Sequence, residues 1–306
     1  MKSHPLAPIV LFVYNRPWHT QQTIEALQNN ELASESELFI YADGAKNNKA
    51  NEGVKKVRNY IKTVDGFSKV TIIERENNLG LADSIIDGVT QTVNKYGRVI
   101  VLEDDLVTSS YFLRFMNDAL EVYKYNNEVA SIHGYLYPID NMIGVPDTFF
   151  IKGADCWGWA TWARSWELFE LNGQKLLDEL QYKKLQKEAD FNNSYGYSRM
   201  LKDQINGKNN SWAIRWYMSC FLQNKLTLYP KRSYVQNIGN DDSGTHCSQT
   251  DQFFIDVLSH EPMQLNKVAV VSEDANAREY MEKYFRRVKQ NLLTKIFKKI
   301  KQSVVR

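Results

Sequence analysis

The sequence has few cysteines and no long apolar run, and each shortage excludes a class of protein. The three cysteines, Cys156, Cys220 and Cys247, are far apart and form no CxxC pair, which argues against a disulfide framework and a structural zinc site. We therefore expect a reducing, cytoplasmic compartment. No stretch approaches the ~20 apolar residues of a membrane-spanning helix. The first apolar run, residues 9–14, has six residues and does not predict a signal peptide.

Two common nucleotide-binding motifs are also missing. The loop after the first predicted strand reads YNRPWH and lacks the GxGxxG of dinucleotide-binding folds. The GxxxxGK[ST] motif of P-loop proteins does not occur in the chain either. The sequence therefore predicts neither a nicotinamide or flavin enzyme nor a P-loop NTPase.

Charge of one sign is missing from the last 24 residues. Residues 283–306 contain nine Lys or Arg and no Asp or Glu, whereas the other 282 residues contain 29 basic and 36 acidic residues, a net charge of −7. An acidic body with a basic tail differs from a uniformly basic nucleic-acid binder, so no nucleic-acid partner is expected.

The basic tail also has apolar residues at helical spacing. They are Leu292, Leu293, Ile296, Phe297, Ile300 and Val304. This pattern predicts an amphipathic basic helix that lies on an anionic membrane surface, which would place the protein peripherally on the inner face of the membrane. A packing helix and a disordered tail are the alternatives.

Apolar strands alternate with helical segments over the first 135 residues. Strands are predicted at residues 8–16, 37–45, 69–76, 98–105 and 129–135. Helices are predicted at residues 17–29, 49–64 and 110–127, with another that follows residue 80 and ends at Gly97. The alternation predicts an α/β fold with a mostly parallel, doubly wound sheet and helices on both faces.

Polar residues follow four of these strands, at the edge where such sheets bind ligands. They are Asn15 and Arg16, Asp43, residues 77–80, and the triplet Glu103, Asp104 and Asp105. Arg16 can meet a phosphate or a base, Asp43 can accept bonds from a uracil N–H or a ribose hydroxyl, and the triplet can hold Mg²⁺ or Mn²⁺. The set predicts a nucleotide-diphosphate site with a bridging metal. Turn formation is the alternative for Asn15, Arg16 and Asp43, and a solvated acidic turn is the alternative for the triplet.

In this order the motifs resemble those of GT-A fold glycosyltransferases. The Glu-Asp-Asp triplet resembles that fold's DxD-type motif, in the form seen in the N-acetylglucosaminyltransferase I group. The first two strands of the fold are resembled by LFVYNRP and IYADGA. The loop and helix under the diphosphate are resembled by NNLGLADSI, which contains Gly80. The segment below the sugar is resembled by GADCWGWATWARSW. Residues 211–239 and 244–254 resemble the acceptor-side helix and the closing loop. The resemblance covers residues 6 to 256.

The resemblance implies a metal-dependent enzyme that moves a sugar from a nucleotide-diphosphate donor, expected to be UDP-linked, to a carbohydrate or lipid-linked glycan. Surface polysaccharide assembly is the expected setting. We expect Asp105 to bind Mn²⁺ or Mg²⁺ with help from Asp104, and Glu103 to lie nearer the ribose. His246, in the closing loop, is a candidate for the metal shell or the diphosphate, with a surface histidine as the alternative.

The resemblance also implies a domain organisation. A transferase domain is expected at residues 1–260, with a nucleotide-binding half at 1–135 and an acceptor half at 136–260. Residues 261–306 are expected to form a helical tail.

One motif of the group is missing. The N-acetylglucosaminyltransferase I group has an acidic pair between two tryptophans, one of which is the catalytic base, whereas Trp212 and Trp216 here enclose Ala-Ile-Arg. Asp155 and Asp203 are the remaining candidates for a base that takes a proton from an acceptor hydroxyl, with a cap or turn as the alternative for each. The missing base leaves open a non-catalytic nucleotide- or glycan-binding module. A metal-dependent nucleotidyltransferase is a third reading, although its usual Gly-rich phosphate loop is absent.

Overall fold

A mixed sheet runs through the centre of the molecule. The computed structural model describes residues 5–241, 255, 261–263, 265, 268 and 270–304, with side chains as far as residue 290. The strands are β1 Ile9–Val13, β2 Glu37–Ala42, β3 Lys69–Glu74, β4 Arg98–Glu103, β5 Leu106–Thr108, β6 Val129–His133, β7 Thr148–Lys152, β8 Trp159–Trp162, β9 Leu226–Pro230 and β10 Val235–Asn237. The helices are α1 Pro17–Gln28, α2 Asn51–Ile61, α3 Leu81–Tyr96, α4 Phe112–Val122, α5 Ala163–Trp166, α6 Gly173–Tyr182, α7 Gln186–Ala189, α8 Tyr197–Ile205, α9 Trp212–Leu222 and α10 Ala275–Val304.

The strand order places the first four predicted strands side by side. Within the described residues the main sheet has the order β3-β2-β1-β4-β8-β6-β9-β7, and β5 pairs separately with β10. The neighbours among β3, β2, β1 and β4 are parallel, as are β6 and β9, whereas β8 is antiparallel to both β4 and β6 and β7 is antiparallel to β9. The predicted α/β architecture with a mostly parallel sheet is confirmed.

The central strands of the sheet are buried on both faces, and successive residues of a strand point to opposite sides. In β1, Leu11 belongs to a core cluster with Ile24 of α1. Its neighbour Phe12 belongs to the other cluster, with Val89 of α3. Apolar residues are therefore needed at every position of the central strands, which explains the continuous apolar runs in the sequence.

The predicted strands end earlier than expected, and the polar residues after them leave the sheet. The run predicted at residues 8–16 is a strand only as far as Val13, and Pro17 then occupies the first turn of α1. Proline suits this position because its fixed φ is helical and its missing N–H would have no partner there. Gly97 ends α3 as predicted, with φ of 76° and its N–H bonded to the carbonyl of Val93 at 2.8 Å.

The helix expected in the C-terminal region is present as α10. The Asp274 carboxylate accepts the N–H of Ala277 at 2.8 Å and caps its start. Ala277, Met281 and Phe285 recur at four-residue spacing and are buried against the body of the protein. Within the part of the chain that the structure describes, no helix is both long and apolar enough to cross a membrane.

Candidate functional site

An ion-pair network joins the carboxyl ends of β1 and β4. Arg16 follows β1, and its Nη2 donates to Oδ2 of Asp105 at 2.9 Å and to Oδ1 of Asp104. The strands are paired with Phe12 opposite Glu103, so the residues that follow each strand arrive at the same place. The structure thus brings together three of the residues predicted from the sequence.

The carboxylates of Asp104 and Asp105 are buried, and the positive charge of Arg16 balances their negative charge only in part. The Asp104 side chain is 6% exposed, and its Oδ2 is buried without a hydrogen-bond partner. Burial raises the pKa of Asp104 while the Arg16 charge opposes this rise, and burial followed by the Asp105 and Asp104 charges raises the pKa of Glu103. One guanidinium therefore faces several carboxyl groups, an arrangement that further positive charge would stabilise.

These residues fit a divalent cation of the hard, oxygen-binding kind. The unpartnered Oδ2 of Asp104 and the adjacent Asp105 carboxylate supply oxygen ligands of the type that Mg²⁺ and Mn²⁺ prefer. No cluster of three or more potential ligands occurs among the described residues, so water and phosphate oxygens would complete the shell. His246 lies outside the described residues.

The segment after β10 closes over the carboxylates. Pairing of β10 with β5 brings the N–H of Ile238 to the carbonyl of Asp105 at 2.9 Å. A Cβ atom at Gly239 would overlap Oδ2 of Asp105 and lie 3.0 Å from Nη1 of Arg16. Only glycine fits here without displacing the site, a requirement that the sequence pattern alone did not indicate.

Asp43 organises the loop between β3 and α3. Its Oδ1 accepts the N–H groups of Gly44 and Leu79, and its Oδ2 accepts Asn78 Nδ2 and the N–H of Gly80, all at 2.9 Å. These four bonds use the acceptor capacity of the carboxylate. A direct contact between Asp43 and a nucleotide would have to replace one of them, whereas the loop that it holds stays accessible.

Arg58 of α2 ties the same region together and was not predicted. Its Nη2 donates to the carbonyl of Arg75 and, at 3.3 and 3.4 Å, to those of Asp43 and Ala42. Nearby, the absence of a Cβ at Gly53 allows the backbone of Asn15 to approach α2. The sequence offers no signal that separates Arg58 from the neighbouring lysines of this polar helix.

Asp155 lies in a second polar cluster, formed with three tyrosines. Its Oδ2 accepts the hydroxyls of Tyr229 at 2.8 Å and Tyr137 at 3.0 Å, and its Oδ1 accepts that of Tyr197 at 3.2 Å. We call these four residues the tyrosine cage. Burial, and then the Asp155 charge, raise the pKa of all three tyrosines well above 10, so their hydroxyls stay protonated donors. Asp155 is half-buried, and Oδ1, which accepts only the Tyr197 hydroxyl, retains the capacity to accept one further hydrogen bond.

Asp203 has different surroundings. It lies on α8, where it pairs with Nζ of Lys208 at 2.9 Å and with Nε of Arg199 at 3.9 Å, and both partners are largely exposed. Neither ion pair connects it to the tyrosine cage or to the Asp104 and Asp105 carboxylates. The two carboxylates that the sequence offered as bases therefore have different partners, tyrosine hydroxyls for Asp155 and surface cations for Asp203.

The comparison with protein families decides the identity of the chain. Residues 9–171, from β1 to the segment after α5, match the family described as Glycosyl transferase family 2. The chain belongs to glycosyltransferase family 2. No curated protein matches the chain. Membership of the N-acetylglucosaminyltransferase I group stays a prediction.

Solved structures of glycosyltransferases resemble this family 2 chain at low identity. The mannosyltransferase PcManGT from Pyrobaculum calidifontis, in complex with GDP-Man and Mn²⁺, is 12% identical over 44% of this chain and 39% of its own, with a TM-score of 0.32. TarS from S. aureus is 13% identical over 74% of this chain and 36% of its own, with a TM-score of 0.39. For TarS residues 1–349 the shares are 74% and 59% and the TM-score is 0.38. The chain spans less than two thirds of the length of each of these proteins.

Proposed function

We propose that this protein is a metal-dependent glycosyltransferase that moves a sugar from a nucleotide-diphosphate donor to a hydroxyl of a carbohydrate or lipid-linked glycan. The observation that carries the proposal is the contact of Arg16 with Asp104 and Asp105 at the carboxyl edge of the sheet in a family 2 chain. The pair offers opposite charges side by side, which suits a diphosphate and its metal.

The donor half of the site has a separate task for each group. Asp105 and Asp104 would hold Mn²⁺ or Mg²⁺, which supplies Lewis-acid stabilisation of the charge on the leaving diphosphate. The planar guanidinium of Arg16 suits phosphate oxygens, and Glu103 lies at the end of β4 where a ribose would follow. Asp43 acts on the nucleotide through the loop that it orders, which ends at Gly80.

The acceptor half uses Asp155 as general base. Its carboxylate takes the proton of the acceptor hydroxyl while that oxygen forms a bond to the anomeric carbon and the bond to the diphosphate oxygen breaks. Three tyrosine hydroxyls fix the orientation of the carboxylate. Two of them bond Oδ2 and one bonds Oδ1, so Oδ1 can accept the acceptor hydroxyl as well. Asp203, paired on the surface, is the weaker candidate.

The cellular setting is proposed from the charge of the tail. Nine basic residues without an acidic one at residues 283–306 favour work at the anionic inner face of a membrane, on a lipid-linked or surface glycan. A UDP-linked donor is the form we expect from the motifs around Asp43 and Arg16.

A panel of UDP- and GDP-sugars with Mn²⁺ and simple alkyl glycosides tests the proposal. We expect release of nucleoside diphosphate and a fall of at least ~10²-fold in Asp105→Asn, the scale of losing one strong electrostatic stabiliser. Asp118→Asn, on the exposed side of α4, is the control and should behave as wild type. Full activity in excess EDTA would contradict the metal. Release of sugar 1-phosphate, the leaving group when the nucleotidyl part of the donor is transferred, would indicate a nucleotidyltransferase, and release of neither product a binding module.

A further inference from the structure

Two aromatic residues of α10 pack against the tyrosine cage. The Phe285 ring is 1% exposed and meets the Tyr137 ring edge-to-face, with the centroids 4.9 Å apart. Tyr284 stacks obliquely on the same tyrosine at 5.6 Å. Phe285 also contacts Tyr195 at 4.6 Å, and Tyr195 in turn contacts Tyr197 at 4.6 Å. Two of the three hydroxyl donors to Asp155 therefore have their rings held directly or indirectly by this helix.

Arg278 anchors α10 one to two turns before these aromatics. Its guanidinium pairs with Glu273 at 2.9 Å and Glu282 at 3.2 Å, and it donates to the carbonyl of Glu188 at 2.6 Å. It also lies over the Phe191 ring, 4.5 Å from the centroid. These bonds use several of its donors at once, so the register of α10 against α7 and the segment after it is fixed.

The segment under α10 has an unusual backbone that this helix supports. Phe191, Asn192 and Asn193 have φ values of 47°, 53° and 65°, three consecutive non-glycine residues in the left-handed region. The Asn192 side chain donates to Glu282 at 2.6 Å, and Phe191 meets Phe285 edge-to-face at 5.4 Å. Strained backbone persists only where surrounding contacts determine it, and α10 supplies such contacts here.

We propose that Tyr284 and Phe285 are positioning residues for Asp155. They hold the ring of Tyr137 so that its hydroxyl stays 3.0 Å from Oδ2 of Asp155. The inference rests on the proposed role of Asp155 as base. It assigns the first half of α10 to the reaction, although the sequence indicates only a helical tail with a basic end there.

Packing explains how residues that touch no substrate act on turnover. Removal of the Phe285 ring leaves a gap beside Tyr137, into which that ring can tilt. Small displacements of a reacting group reduce turnover strongly, because attack needs the acceptor oxygen and the base in a defined geometry. The described ring contacts of Phe285 are with Tyr137, Phe191, Tyr195 and Tyr284, none of which lies on β1 or β4. Donor binding should therefore stay unchanged.

The test compares four variants of the full chain. Phe285→Ala opens the gap, Phe285→Leu refills most of it, and Tyr137→Phe removes only the hydroxyl that bonds Asp155. Met281→Ala is the matched control, because Met281 is equally buried on the same helix one turn earlier. The measurements are kcat and acceptor KM with the best nucleotide sugar and alkyl glycoside of the panel, the affinity for UDP or GDP by calorimetry, and thermal unfolding.

We expect Phe285→Ala and Tyr137→Phe to lower kcat by roughly tenfold or more, with nucleotide affinity unchanged within about twofold. Phe285→Leu should recover most of the lost kcat. Met281→Ala should lose thermal stability without losing kcat. Equal loss of kcat in Met281→Ala would overturn the proposal, because general destabilisation would then account for the effect.

Asp155→Asn separates this inference from the proposed function. If that variant is impaired while Tyr137→Phe and Phe285→Ala turn over as wild type, Asp155 stands and the positioning role is wrong. If Asp155→Asn turns over as wild type, Asp155 is not the base, and the positioning proposal fails with it.

Discussion

The guanidinium of Arg16 donates to Oδ2 of Asp105 across 2.9 Å and so joins the ends of two adjacent parallel strands. The contact brings a cationic group suited to phosphate against an anionic group suited to a metal. A diphosphate with its cation can engage both, which is why this pair is central to the predictions on the donor.

Arg16→Ala and Asp43→Ala should each weaken binding of UDP or GDP by ~1–3 kcal/mol, the range of hydrogen bonds to charged groups. The causes differ, because Arg16 would contact the phosphate itself whereas Asp43 orders the loop from Asn78 to Gly80. Titration calorimetry measures the effect. Arg114→Ala, at an exposed ion pair with Glu31, is the control for loss of an arginine. Unchanged affinity in both test variants would mean that the nucleotide binds at another site.

Asp155→Asn should lose kcat and keep donor affinity, the behaviour of a lost base. Asp203→Asn should stay close to wild type, because exposed ion pairs such as that with Lys208 contribute only ~0–1 kcal/mol. Steady-state kinetics with calorimetry of the nucleotide distinguishes the two. A loss of kcat confined to Asp203→Asn would reverse the assignment.

Gly239→Ala should reduce turnover by at least about tenfold, because the added Cβ would displace the Asp105 carboxylate from its position. The apparent affinity of this variant for Mn²⁺, measured by titrating turnover with the metal, should also fall. Gly196→Ala is the matched control, since a Cβ there would meet only Cβ of Arg199 at 3.8 Å. Wild-type behaviour of Gly239→Ala would show that the segment after β10 can move away without cost.

His133 should make stability depend on pH below neutrality. Burial lowers the pKa of His133 from 6.5 to about 4, and its Nε2 accepts the N–H of Trp157 at 3.2 Å. Between these two pH values the unfolded chain binds a proton at His133 that the folded chain does not. The contribution of His133 to stability therefore rises with pH across this window by up to about 3 kcal/mol and is constant above it.

Urea unfolding of wild type and His133→Gln at pH 4.5, 5.5 and 7 measures this contribution. The stability difference between pH 4.5 and pH 7 should be smaller in the variant, whereas other titrating groups affect both proteins alike. Parallel pH profiles would mean that His133 is not buried in its neutral form.

The full chain should sediment with vesicles that contain anionic lipid and be released by high salt. Basic residues near such a surface contribute ~1 kcal/mol each, and this attraction is screened by salt. A chain that ends at Gln290 should stay in the supernatant and keep its turnover on a water-soluble glycoside. The cut must follow Gln290 and not Glu282, because Tyr284 and Phe285 are buried in the body.

Replacement of Lys295, Lys298, Lys299 and Lys301 by glutamine in the full chain separates charge from length. This variant should lose sedimentation as the truncated chain does. Equal sedimentation of all the proteins, or of none, would reject the membrane role and favour a packing or partner-binding helix.

The sequence predicts the contact between Arg16 and Asp105 better than it predicts the tyrosine cage, for a physical reason. β1 to β4 are runs of branched apolar residues, and in a parallel sheet their carboxyl ends must meet, so the contact of Arg16 with Asp105 follows from strand order. The insertion of β8 between β4 and β6 depends on long-range pairing that no local pattern specifies.

The tyrosine cage has no local signal either. Its three tyrosines are 18, 42 and 74 residues from Asp155 along the chain, and each resembles any other core tyrosine in sequence. The sequence does not indicate the buried face of α10 either. Met281 and Phe285 lie among charged residues, which dominate the composition of the segment.

The continuity of α10 has a consequence for how the protein would attach to a surface through its C-terminal region. The helix runs without interruption for 30 residues from Ala275 to Val304, a length of about 45 Å at the usual rise per residue. Its beginning is fixed to the body by Arg278, whereas a flexible linker of the same length would let the body rotate freely. A surface that holds the far end of this helix therefore sets the angle at which the carboxyl edge of the sheet faces it, as well as the distance.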